Sequence, residues 1–407
     1  MTEAAAPKAK PGRAAFIFIF LTVALDMLAL GVMIPVLPKL ILAFEGGDTA
    51  GAATVAGVFG FAWALMQFLF QPVLGAASDR FGRRPVVLLS NLGLGLDYIL
   101  MALAPNLAWL FVGRLISGIT AASFSTASAY IADITEPEGR AARFGMLGAA
   151  FGLGFTLGPA IGGFLGGYDL RAPFWAAAAL SLANFAYGFF ILPESLPPEK
   201  RSDRFVWRTA NVAGGLALLK RSTLLSVLGV SVFLHYLAHE SLASIFVLYT
   251  DYRYHWDATT VGLALSFVGV TSTIVSGGLV RPSVKRFGEW PVLGFGLICG
   301  AVSFALYAVA PTTALFLAGI PFGALWGMAG PAEQALMSRE IGAEEQGLLQ
   351  GALGSLRGIS GMIGPLVFAQ IFAASVAATF LPGAAYMLSA LLLLSSLAIA
   401  WRGRGSR

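Results

Sequence analysis

Four acids and two arginines stand where the chain is otherwise nearly all hydrocarbon: Asp26, Asp97, Glu240, Glu333, Arg114 and Arg357. Asp26 lies about twelve residues into an apolar run that starts at residue 14, ~18 Å along a helix and so near the middle of a bilayer. A bare carboxylate at that depth costs roughly 3 kcal/mol or more, so it must be neutral, paired or turned toward water. Burial of a carboxyl favours its protonated form, and a nearby cation favours the charged one. A site that alternates between those surroundings loads and releases a proton. Asp26 is therefore a candidate proton carrier, and Arg114 its candidate partner. A fixed ion pair that only ties two helices together is the other reading. Asp97, beside Tyr98, is equally deep in another run. It is a second proton site, part of a cavity wall, or a carboxyl hydrogen-bonded to a neighbouring Ser or Thr.

His235, His239 and Glu240 share one run. The histidines are four residues apart and so lie on one helical face. That spacing suits a metal, but two histidines with no firm third ligand are a weak metal signal. A wall of titratable groups touching substrate or protons is the stronger reading, with packing histidines as the alternative. Arg357 needs a partner at its depth, which could be Glu333, Glu240 or an anionic substrate. No metal and no other cofactor is expected. The single cysteine, Cys299, rules out an intrachain disulfide. There is no phosphate-binding loop, so ATP is not the direct energy source.

The elements that must position these residues are membrane helices. Of 407 residues, 57% are hydrophobic and 12% charged, and the mean hydropathy is +0.79. Soluble domains carry about a quarter charged residues, so lipid must be the solvent for most of this surface. Apolar runs of roughly 17–25 residues predict twelve spans, at 14–37, 52–74, 86–104, 107–131, 144–166, 172–192, 221–249, 259–281, 291–310, 312–336, 348–371 and 378–401. Pro105, Pro137, Pro173, Pro193, Pro311 and Pro382 fall at their edges, as helix punctuation should. The first run is long and lacks a small-residue cleavage site, so it is read as a retained span.

Twenty-one of the 26 lysines and arginines fall in the N-terminal tail, the even-to-odd loops and the C-terminus. Only Lys39, Arg171 and Arg253 fall on the other side. Both termini are then cytoplasmic. The same asymmetry accounts for the net charge of +5 without a nucleic-acid partner. The expected units are a basic tail at 1–13, a six-helix bundle at 14–192, a cytoplasmic linker at 193–220, a second bundle at 221–401 and a tail at 402–407. Within the linker, Trp207, Leu216 and Leu219 suggest a helix lying on the inner membrane face.

The two bundles read as copies. Asp79-Arg-Phe-Gly-Arg-Arg-Pro85 aligns with Lys285-Arg-Phe-Gly-Glu-Trp-Pro291 at an offset of 206 residues. The same offset carries Gly145, Gly148, Gly152, Gly158 and Pro159 onto Gly351, Gly354, Gly358, Gly364 and Pro365. Two unrelated patterns sharing one offset point to a duplicated chain.

Several of these stretches carry a family resemblance. Gly75-Ala-Ala-Ser-Asp-Arg-Phe-Gly-Arg-Arg-Pro85 resembles the signature between spans two and three of the major facilitator superfamily. Arg114-Leu-Ile-Ser-Gly118 is similar to the span-four signature of its proton-coupled members. Gly154-Phe-Thr-Leu-Gly158-Pro159-Ala-Ile-Gly162-Gly163 is similar to the span-five signature of antiporters. Leu25-Asp26, Leu96-Asp97-Tyr98 and His255-Trp-Asp-Ala-Thr-Thr260 add a resemblance to the tetracycline/proton antiporter branch. The resemblance implies an all-α integral membrane protein with twelve transmembrane helices in two pseudo-symmetric six-helix bundles. It implies efflux of a small amphipathic compound in exchange for protons, by alternating access, from a monomer in the bacterial inner membrane. Asp26, Asp97 and Arg114 would then handle protons. Gly75, Asp79, Arg80, Gly82, Arg83 and Arg84 would form a gate, or only mark topology, and Gly154, Gly158, Pro159 and Gly162 would shape span five. Asp79 is expected to cap a neighbouring helix, with the arginines pairing Asp133 and Glu136.

The second half departs from that branch. Its span-eight histidine–glutamine pair is replaced by Ser272 and Ser276, and its span-nine acid by Gly300, while Glu240 and Glu333 are foreign to it. The expected substrate cavity therefore comprises His235, His239, Glu240, Ser272, Glu333 and Arg357. A symporter or facilitator importing a metabolite, and a non-transporting receptor, remain open as other functions.

Overall fold

The computed structural model describes residues 13–121, 123–202, 217–379 and 381–404. Its described elements are all helices. Eleven are long and apolar enough to cross a membrane. The remaining span, four, is built from two shorter pieces, Leu107–Thr120 and Ser123–Ile134. Span one is Arg13–Met33, prolonged by the short helix Leu37–Phe44. Spans two, three, five and six are Thr49–Phe81, Arg83–Leu103, Pro137–Tyr168 and Ala172–Ile191. Span seven is Thr223–Tyr254, and span eight runs from Ala258 to Phe287 through a π-helical turn at Val275–Leu279. Spans nine, eleven and twelve are Glu289–Val309, Gln346–Ala377 and Ala384–Arg404. Span ten is Thr313–Trp326 followed by Ala329–Ser338.

The duplication is visible in the backbone. Gly82, between spans two and three, has φ +106°, and Gly288, between spans eight and nine, has φ +81°. A side chain would be strained at either place. Spans four and ten break at the same relative position. The helix neighbours match as well: span one packs on five and six as span seven packs on eleven and twelve. Several helices exceed the expected lengths, because polar residues at a helix end complete a last turn as readily as apolar ones. Gly75–Phe81 is therefore the end of span two and not a loop. Of the expected interfacial linker helix, Trp207 and Leu216 lie outside the described residues. Leu219 is buried, its Cδ1 3.1 Å from the place of a Cβ on Gly229.

The bundles meet through spans two and eleven and through spans five and eight. Close contact extends as far as Phe68 against Gly358 near mid-span and is concentrated toward the end away from the termini. There a Cβ on Gly60 would come within 2.8 Å of Pro365, and one on Gly163 within 2.8 Å of the Gly262 Cα. Thr259 Oγ1 donates to the Gly163 carbonyl at 3.2 Å, and Ser266 Oγ to the Thr156 carbonyl at 2.7 Å. At the other end, Cβ atoms on Gly75, Gly145, Gly148, Gly152, Gly277, Gly278, Gly347, Gly351 and Gly354 would meet nothing within 4 Å. These glycines lie on spans two, five, eight and eleven, so a cleft opens between the bundles on the side of the termini.

Gly163→Val is expected to hold the ends of spans five and eight apart. Overpacking costs roughly 1–3 kcal/mol, so disulfide formation between cysteines placed at Gly166 and Ala258, in a Cys299→Ala background, should slow about tenfold. Unaltered cross-linking would show that the closed end does not depend on this contact.

Candidate functional site

Asp26 is buried on span one, 4% exposed. Two amides hold it. Asn184 Nδ2 on span six donates to Oδ1 at 3.0 Å, and to the Thr22 carbonyl at 3.1 Å. Asn91 on span three, with its nitrogen turned to the carboxylate, donates to both oxygens at 3.2 Å, and its own oxygen accepts from Asn184 at 3.1 Å. Neutral donors of this kind stabilise the charged form of a carboxyl. Arg114, expected to face Asp26, interacts with the charge of Asp97. Arg114 is buried, its guanidinium carbon 5.1 Å from the centre of the Trp63 ring, a cation–π distance. Asp97 is 1% exposed, and neither of its oxygens receives a hydrogen bond of normal geometry. Gly113 makes room for it, since a Cβ there would lie 2.9 Å from Asp97 Oδ1. The first bundle thus contains two carboxylates at similar depth in unlike settings. Asn91 and Asn184 are the residues that sequence reasoning missed. The signal was present, because an amide in an apolar span must also find partners.

In the second bundle the expected cavity residues divide. His239 and Arg357 are exposed at mid-span, and Tyr236, Glu240 and Ser272 half so. Arg357 was expected to be buried; the cleft leaves it open to solvent. Its charge acts on Tyr236, His239 and Glu240 of span seven, which places it on the cleft wall. Glu240 packs over Gly364 of span eleven. Glu333 is not a cavity residue. It is 2% exposed between spans seven, ten and twelve, where Ser231 Oγ donates to Oε1 at 2.7 Å. Its partner is not Arg357 but His235, whose Nδ1 lies 3.3 Å from Oε2. Ser272 lies on span eight just before the π-helical turn. Among the described residues no three His, Cys, Asp or Glu side chains are placed to hold a metal ion.

The Gly75–Pro85 block is tied to the residues after span six. The Glu194 carboxylate accepts from the backbone N–H of Arg83 at 2.8 Å and of Arg84 at 3.3 Å. These are orphan amides of the first turn of span three, so Glu194 caps that helix from 110 residues away. The cap expected from Asp79 is not made; Asp79 pairs with Arg83 on its own side. Arg83 also reaches Asp133 at 3.1 Å, as expected, and Ser195 Oγ donates to the same Asp133 oxygen at 3.0 Å. Arg84 donates to the Phe189 carbonyl at 2.6 Å. The exposed Arg80 guanidinium lies over the Phe81 ring. Gly75 faces the open cleft. On span five, Gly154, Gly158 and Gly162 all face span one, where added Cβ atoms would strike Met27, Gly31 and Val32. Gly163 and the Pro159 carbonyl face span eight instead.

A family model described as the Major Facilitator Superfamily matches residues 19–365. The chain belongs to that superfamily. The tetracycline resistance protein, class C, of Escherichia coli is 39% identical over 393 residues, 97% of this chain and 98% of that protein. The class E protein of Escherichia coli is 38% identical over 351 residues, 86% of each. The fold matches the crystal structure of the human organic anion transporter MFSD10 with TM-score 0.70 and 24% identity, over 95% of this chain and 99% of that one. As a superfamily member this is a multi-pass membrane protein whose relatives are transporters, not enzymes.

For a superfamily fold, the informative contact is the one that crosses between bundles. Among the described ion pairs, Lys39 with Asp251 alone does so. Lys39 Nζ also donates to the Trp256 carbonyl at 2.6 Å. The receiving end of span seven is tied into its own bundle by hydrogen bonds. Tyr249 donates to the Tyr307 carbonyl at 2.7 Å, Tyr254 to that of Ala310 at 2.8 Å, and Trp256 Nε1 to Thr313 Oγ1 at 3.1 Å. The next helix is capped by Asp257, which accepts from the Thr260 N–H at 2.8 Å. Hydrogen bonds from Thr260 hold the Asp257 carboxyl below its ordinary value. Its contribution is present at neutral pH and is lost as pH falls through that lowered value.

Glu194→Ala should destabilise the protein by about 1–2 kcal/mol, read as a lower unfolding temperature in detergent, with Glu194→Gln intermediate. Lys39→Ala removes charge-assisted hydrogen bonds worth about 1.5–3 kcal/mol. Spin labels at Asp169 and Arg253 should then show a new long-distance population; an unchanged distribution would mean the latch is idle.

Proposed function

We propose that the protein exports a small amphipathic compound, tetracycline or a related drug, in exchange for protons. Both termini are cytoplasmic in this reading, so the described cleft opens to the cytoplasm of a bacterial cell and the Lys39 side is periplasmic. The observation that carries it is Asp26: a buried mid-span carboxylate held by two neutral amides, beside a second carboxylate that faces Arg114. Two such acids in one bundle give a proton two alternative homes. A movement of spans one, three and four relative to one another changes which acid has the better partner. Proton entry supplies about 2.3 kcal/mol per 100 mV and about 1.4 kcal/mol per pH unit.

Cargo enters the cleft and meets Arg357, His239, Glu240 and Ser272. The bundles then rock so that the terminal side closes and the Lys39 side opens. The arginine block stands at the mouth of the cleft, where it can latch the closed state. The 39% identity to the class C tetracycline resistance protein supports the drug. The exposed Arg357 favours a second reading in which the cargo is another organic anion.

The test uses purified protein in proteoliposomes holding a pH-sensitive dye. With a pH gradient imposed, magnesium–tetracycline should dissipate the gradient, and Asp26→Asn should insert normally yet abolish that response. Uphill efflux undiminished in Asp26→Asn would remove Asp26 from the mechanism. A response only to other organic anions would keep the exchange and reassign the cargo to the Arg357 wall.

A further inference from the structure

The second bundle contains a buried carboxylate that the exchange above does not use. Glu333 is 2% exposed and Ser231 and Ser396, which continue its network, are fully buried. Ser231 Oγ lies 2.7 Å from both Glu333 Oε1 and Ser396 Oγ, and Ser396 Oγ donates back to the Ser231 carbonyl at 3.1 Å. One carboxylate oxygen thus accepts the Ser231 hydroxyl. The other faces His235 Nδ1 at 3.3 Å, but the ring is not aligned for a hydrogen bond. A modest ring rotation would make or break it. Leaving a carboxylate in such a place is costly unless a proton or cation attends it.

Exposure is graded along this line. His239 is exposed to the cleft, His235 has a side chain 12% exposed, and Glu333 lies behind it. The two imidazoles share one face of span seven, and both rings lie beside Trp326, at 4.9 Å for His235 and 5.7 Å for His239. The other groups facing the pair are Tyr236 and Glu240 on span seven and Arg357 on span eleven, while span nine turns Gly300 toward Trp326. The offset of 206 sets Asp26 opposite Val232, one residue from Ser231. Each bundle therefore houses a carboxylate at about the same level.

We infer that His235 and Glu333 form a second proton-binding site, reached from the cleft through His239, so that each bundle carries its own proton. The proton arrives at the cleft-facing nitrogen of His235, and the imidazolium turns its Nδ1–H onto Glu333 Oε2. The pair holds one proton as a unit. On release the proton leaves by the same imidazole, and Ser231 keeps the carboxylate hydrogen-bonded. The number of protons exchanged per cargo rests on the export reading above; the existence of the site does not.

Trp326 reports the site directly, because an imidazolium against an indole quenches its emission and a neutral imidazole does not. The full chain and its W326F variant are titrated across about pH 5–8, and the difference in emission is followed. His239 lies against the same indole, so the titration is made in the H239N background, where one step is expected. It should be lost when H235N is added, and displaced by about one pH unit or more when E333Q is added, a variant that keeps the acceptor for Ser231. No step in H239N, or a step that E333Q leaves in place, overturns the site. In proteoliposomes, protons moved per cargo should fall about twofold in E333Q; an unchanged ratio overturns its part in coupling. If the wild type moves no protons with any cargo, the export reading fails, and the Trp326 step alone decides the site.

Discussion

A charge in hydrocarbon must be answered, and this molecule is arranged around the different ways of answering it. Asp26 is answered by amides, Asp97 by an arginine, Glu333 by a serine and a histidine, and Arg357 by an open cleft. Apolar residues could have filled any of these places at lower cost. In the export reading, what the charged groups supply is a dependence of structure on protonation and on what occupies the cleft. The helices hold the groups at fixed depths, and the duplication places comparable depths in both bundles.

The bundles differ in how exposed their chemistry is. In the first, Asp26 and Asp97 are buried among the helices. In the second, Arg357, His239 and Glu240 form the wall, with His235 and Glu333 behind it. Titratable groups thus lie in both bundles, but only in the second do they reach the open cleft. The departures of the second half from the tetracycline branch divide between the open wall, at Glu240 and Ser272, and the packed interior behind it, at Gly300 and Glu333.

Much of this is legible in the amino-acid sequence. Twelve spans follow from apolar length, the copies follow from one shared offset, and Asp26, Asp97 and Arg114 do fall within one bundle. The pairings are not legible there. Asp26 with Asn184 joins residues 158 apart, Arg83 with Glu194 joins residues 111 apart, and Lys39 with Asp251 joins residues 212 apart. Nothing local in the sequence encodes such contacts; they follow from which helix faces which. The role of Glu333 escapes a linear reading for the same reason. Its depth along span ten follows from the sequence, but its direction around the helix axis depends on where spans seven and twelve pack.

The position of the glycine contact has a mechanical meaning. Gly163 and Gly262 touch near one end of spans five and eight, while span five continues back to Pro137. Those 26 residues of helix make an arm ~39 Å long at 1.5 Å per residue. A pivot at the glycines gives that arm strong leverage, so a tilt of about 10° sweeps its free end through ~7 Å. A small tilt at that contact is therefore magnified along the helix, so the open end is far more sensitive to the angle between spans five and eight than the closed end is.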